Sequence, residues 1–139
     1  MSLYEFFSCI CVDVLRTNGA QKSFELFESF ERGNTGYISV ITVAELFAGA
    51  SLSPLRDAIS KTEELLARVQ IIELTEAIAM EGGKIFATLS KEGKKIEFND
   101  CLIAATARSL GMREIVTRNI DHFNRITGFA AIVPEKFTF

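Results

Sequence analysis

Short apolar runs bounded by turn residues alternate with stretches of helical period, and this alternation limits the folds open to the chain more than any other feature. The runs at 6–12 (FFSCICV), 37–41 (YISVI), 71–74 (IIEL), 114–117 (EIVT) and 130–133 (AAIV) read as buried strands. Between the first two, Ala20, Phe24, Phe27 and Phe30 share one helical face, and Gly33-Asn34-Thr35-Gly36 breaks the chain. Thr42-Val43-Ala44-Glu45 has the spacing of a capping box, and Ser53-Pro54 reads as a second helix start with Leu55, Ala58, Ile59, Thr62, Leu65, Leu66 and Val69 on its inner stripe. Thr75 is placed to cap a longer helix that turns Ile78, Gly82, Ile85, Phe86 and Leu89 inward, with Gly82-Gly83 marking a close approach to a neighbour. The stretch at 100–110 (DCLIAATARSL) is apolar nearly all round, as a buried helix is, and Gly111 ends it. Strands alternating with helices imply a parallel sheet covered on both faces. The expectation is a three-layer α/β/α domain with four or five strands, spanning 1–139 as one unit.

Composition narrows the function. Hydrophobic residues make up 48% of 139 and charged residues 24%, enough for a core under a normal polar surface. The net charge of −3 argues against a protein that coats duplex nucleic acid. No apolar run approaches the ~18 residues of a membrane span. The N-terminal apolar patch has no basic flank and carries Glu5 and Asp13, unlike a signal peptide. Cys9, Cys11 and Cys101 are an odd set suited to a reducing, cytoplasmic setting, where they serve as buried thiols. With His122 as the single histidine and no G-x-S-x-G pattern, a Ser-His-Asp hydrolase is disfavoured. Gly82-Gly83-Lys84 lacks the spacing of a phosphate-binding loop.

Functional groups of an open parallel sheet collect beyond the carboxyl ends of its strands. Glu45 follows the second strand, Asp100 opens the buried helix, and Thr117, Asn119 and Asp121 follow the fourth strand. Carboxylates and an amide meeting at one edge would suit Mg²⁺ or Mn²⁺, which activate water and stabilise charge on a phosphodiester.

Three segments carry a family resemblance: 98–107 (FNDCLIAATA), 115–123 (IVTRNIDHF) and 39–46 (SVITVAEL). Together they resemble the PIN-domain family, in its VapC-type toxin ribonuclease branch, over essentially the whole chain. The resemblance implies a Mg²⁺- or Mn²⁺-dependent endoribonuclease with Asp100 and Glu45 at the metal and Thr117 and Asn119 supporting the site. It also implies an RNA substrate, a homodimer, and neutralisation by a small VapB-type antitoxin. Asp13-Val14-Leu15-Arg16 matches the second half of the family's first motif, but Phe7 stands where the family places its first metal-binding Asp. As written, the chain lacks that ligand. The other reading is therefore a catalytically degenerate PIN domain that binds RNA or a protein without cutting.

Each candidate also has a plainer role. Asp100 suits a helix N-terminus, and Glu45 completes the capping box with Thr42. Thr117 could cap the strand end, while Asp13, Asp121, Arg16 and Arg118 could be solvated surface charges.

Overall fold

The computed structural model describes the backbone of residues 3–6 and all of residues 35–136. Its described strands form one sheet in the order β3-β2-β1-β4-β5. They are β1 (Leu3–Phe6), β2 (Thr35–Ser39), β3 (Gln70–Ile72), β4 (Glu114–Val116) and β5 (Ala130–Ile132). Every pairing is parallel. The helices are α1 (Val40–Leu52), α2 (Ala58–Leu66), α3 (Glu76–Lys91), α4 (Phe98–Ser109) and α5 (Ile120–Asn124), with a 3₁₀ turn at Pro134–Lys136.

The chain builds outward from β1 to β3 and then returns to lay β4 on the other side of β1. Phe6 is in register with Val116 on that side and with Ile38 on the other. A strand order that reverses beside β1 leaves a crevice at the carboxyl ends of β1 and β4, where such sheets hold their ligands.

The elements agree with the sequence reading most closely in the second half. Thr75 caps α3, its hydroxyl accepting from the Ile78 amide at 3.2 Å. Ile78, Gly82, Ile85 and Leu89 form the buried face of that helix. Gly82 is the point of close approach: a Cβ there would lie 2.7 Å from Leu102 Cδ2 and 3.2 Å from Leu102 Cα. From Cys101 to Ala107 every residue of α4 is buried, so α4 is the central pillar of the core. Ile115, Phe123 and Ile126 pack into the same cluster. Gly111 follows α4 with φ +75°, a left-handed conformation that glycine adopts freely.

Three local expectations are corrected. The first strand is described at Leu3–Phe6, so it begins before the expected 6–12; residues 7–12 and the helix expected at 20–32 lie outside the described residues. The second strand ends at Ser39 instead of Ile41, and Ser39, extended and fully buried, is itself the cap of α1: its Oγ accepts from the Ile41 amide at 3.1 Å. The strand thus feeds directly into the helix, and Thr42 is a buried residue of α1's first turn with no capping role. Ser53-Pro54 does not open a helix. The Ser53 amide closes the end of α1 on Ala50, its hydroxyl accepts from Leu55 in a tight turn, and α2 starts at Ala58. Leu55 is accordingly exposed, while Ala58, Thr62 and Leu65 keep the inner stripe.

Candidate functional site

The loop between β4 and α5 folds back on the mouth of α4. Thr117, fully buried, donates its amide to the Ile132 carbonyl at 2.8 Å, and its hydroxyl accepts from the Asn119 amide at 2.9 Å. This tight turn aims the Asn119 side chain at α4, where Nδ2 donates to Asp100 Oδ2 at 3.1 Å. One turn further on, His122 brings Nδ1 to the same oxygen at 2.8 Å.

The protonation of this triangle follows from its geometry. Nδ1 lies 2.8 Å from Asp100 Oδ2, so a lone pair there would face the carboxylate. A proton on Nδ1 donated to Oδ2 is the favourable arrangement. The 2.9 Å approach of Asn119 Nδ2 to Nδ1 is then a contact between two donors that share one acceptor. Asp100 is set for this role by its place in the first turn of α4, where the helix dipole favours an anion. Burial nevertheless raises its pKa above the ordinary carboxylate value; the hydrogen bond and the charge of His122 oppose that rise, and Glu97 adds to it. The Asp100 side chain is 14% exposed and that of His122 29%, so the pair is sheltered yet reachable from solvent.

Of the residues expected from sequence, Asp100, Asn119 and Thr117 are brought into one hydrogen-bonded chain. Glu45 lies half-buried on α1, a helix that contacts α4. Asp121 is elsewhere engaged: it pairs with Arg125 at 2.7 Å and is 77% exposed. Arg118 forms an ion pair with Glu135, also at 2.7 Å. Phe7, Asp13 and Arg16 lie outside the described residues. The residue the sequence reading missed is His122, weighed there only as part of a serine-hydrolase triad. Its i+3 spacing from Asn119, which puts both on one face of a turn, was the available signal.

The donors suit a hard cation in kind. They are carboxylate, amide and hydroxyl groups, and the thiol of Cys101, next to Asp100 in sequence, is fully buried in the core. Among the described residues no three His, Cys, Asp or Glu side chains converge. A groove of about 500 Å³ adjoins the triangle, lined by Phe86, Lys95, Ile96, Glu97, Phe98 and His122.

A profile of the PIN domain matches residues 8–128. The chain belongs to the PIN-domain family. Among similar proteins, ribonuclease VapC2 of Haemophilus influenzae is 44% identical over 91 residues, covering 64% of this PIN domain and 67% of the relative. Ribonuclease VapC2 of Rickettsia felis is 31% identical over 125 residues, covering 89% and 92%. Among solved structures, VapBC2 from Rickettsia felis bound to a promoter DNA fragment superposes with a TM-score of 0.81 at 30% identity, covering 94% of this chain and 97% of that one. VapBC-1 from nontypeable Haemophilus influenzae gives 0.80 at 31%, covering 97% and 100%. The α/β reading of the sequence and its PIN resemblance therefore stand. No helix among the described residues is long and apolar enough to cross a membrane.

Proposed function

We propose that this PIN domain is a Mg²⁺- or Mn²⁺-dependent endoribonuclease of the VapC type. The observation that carries this reading is the sheltered Asp100 carboxylate, oriented by Asn119 and His122 at the carboxyl end of β4. A ribonuclease VapC2 relative at 44% identity over 91 residues supports the reaction class. Asp100 and Glu45 would hold the ion, which supplies a Lewis acid and an activated water for attack on the phosphodiester. Asn119 and His122 fix the rotamer of Asp100 and leave its other oxygen for the ion, while Thr117 holds the turn that presents Asn119.

Solved neighbours are VapBC complexes, which supports a VapB-type antitoxin as partner of this chain. A homodimer working in the cytoplasm completes the reading.

Phe7 sets its limit. An aromatic side chain offers a divalent ion neither charge nor lone pair, and Mg²⁺ gives up its water reluctantly. We expect the chain as written to cut a single-stranded RNA slowly in Mn²⁺, and Phe7→Asp to raise the rate at least ~10-fold. Asp100→Asn in that variant should erase the gain. A Phe7→Asp chain that is folded and inert, while the unaltered chain still binds RNA, would favour the degenerate binding module.

A further inference from the structure

The groove beside Asp100 has a chemistry of its own. Phe86 and Phe98 pack against each other in its lining, with ring centroids 5.0 Å apart and planes tilted by 52°. Phe98, at the first position of α4, is 47% exposed, so part of its ring is open to solvent. The Lys95 ammonium sits 5.5 Å over the Phe86 ring, and among the described residues it forms no ion pair. His122 is at once a wall of this groove and the donor to Asp100.

We infer that this groove is a subsite for one unpaired nucleobase of a single-stranded RNA, stacked on Phe98, whose backbone then runs past Asp100. The inference rests on the ribonuclease reading above and names the form of RNA it acts on. An exposed aromatic face is a sequence-tolerant platform for a base that has left its duplex, and a base inside an A-form helix cannot reach it. The volume suits one nucleotide unit and is small for a longer segment. Charge decides which part of the nucleotide enters. Glu97 lines the groove and would repel a phosphate, but it can accept from a base amino group. Lys95, on the rim, is free to meet the flanking phosphate. The imidazole common to groove and carboxylate sets the stacked base next to the phosphodiester to be cut.

The test uses the full chain, purified free of partner, and a seven-nucleotide RNA carrying one 2-aminopurine, with EDTA present so that nothing is cut. Binding should quench the 2-aminopurine emission. Phe98→Ala should weaken binding about 5- to 150-fold and remove the quench, and Phe98→Trp should restore both. Phe98 is half-exposed, so the variants should stay folded and lose no more than a few degrees of melting temperature with the Phe86 contact, which circular dichroism checks. The same RNA annealed to its complement should bind no better to the unaltered chain than to Phe98→Ala. If the unaltered chain binds and cuts RNA and Phe98→Ala does so equally well, the subsite is overturned and the ribonuclease reading stands. Loss of VapB-type antitoxin binding in Phe98→Ala, with RNA binding intact, makes the groove a protein-docking site and likewise overturns it. A chain that neither binds nor cuts RNA, with Phe7→Asp or without, overturns the ribonuclease reading and this inference with it.

Discussion

Asp100 and His122 are 22 residues apart in sequence, and their side chains meet at 2.8 Å, Oδ2 to Nδ1. The contact joins the first turn of the most buried helix to a short surface helix, and it makes His122 a positioning residue for the carboxylate. Replacing a group that orients a metal-binding side chain commonly lowers activity or metal affinity 10- to 100-fold. His122→Ala should therefore reduce cleavage by about that factor in the Phe7→Asp background. His122→Asn, whose amide can donate from nearly the same place as Nδ1, should recover much of it. Mn²⁺ titrations of the rate should show weaker metal affinity in His122→Ala. Equal activity in all three proteins would remove His122 from the site.

The Asp100 carboxylate should cost the fold stability at neutral pH. Burial raises its folded-state pKa, so the folded chain binds that proton more tightly than the unfolded chain does. The penalty is present above the folded-state pKa and is relieved as pH falls through it toward the unfolded value. Asp100→Asn keeps an oxygen to accept from Asn119 and His122 and carries no charge. Its melting temperature should exceed that of the unaltered chain at pH 8, with the difference shrinking in acid. An equal loss of stability at both ends of the pH range would contradict this.

Gly82 and Gly83 are neighbours with opposite surroundings, so the same substitution should act in opposite directions. At Gly83 a Cβ meets nothing within 4 Å, and alanine should stabilise α3 by roughly 0.5–1 kcal/mol. At Gly82 it would lie 2.7 Å from Leu102 Cδ2 and 3.2 Å from the Leu102 backbone. Overpacking against a buried helix costs about 1–3 kcal/mol, which outweighs the helix-propensity gain of ~1 kcal/mol. Urea denaturation should give Gly82→Ala a lower midpoint and Gly83→Ala a higher one. A stabilised Gly82→Ala would mean that α3 and α4 can move apart freely.

Cys101 should be chemically silent in the folded protein. It is fully buried, and burial next to Asp100 pushes its thiol up to about 11. At pH 8 iodoacetamide should label it only after denaturation, as peptide-resolved mass spectrometry can read separately from Cys9 and Cys11. Rapid native labelling would show that α4 opens locally.

What the sequence determined by itself is what short-range physics encodes. The 3.6-residue period of Ile78, Gly82, Ile85 and Leu89 fixed the buried face of α3, and the Thr75 hydroxyl fixed its start. The unbroken apolar run after Asp100 marked α4 as central, and the residues following β4 marked the site's edge. Where two local signals competed, the sequence misplaced the boundary. Thr42-x-x-Glu45 and Ser39 both offer a cap for α1, and the choice fell to Ser39 because β2 is held in the sheet up to that residue. The tertiary structure alone decided the order of the strands, which places the loop after β4 beside the mouth of α4. It alone brought His122 to Asp100 and Phe86 to Phe98. These contacts join side chains from separate elements and leave no period in the sequence, because their geometry exists only once the core has fixed where each helix begins and points.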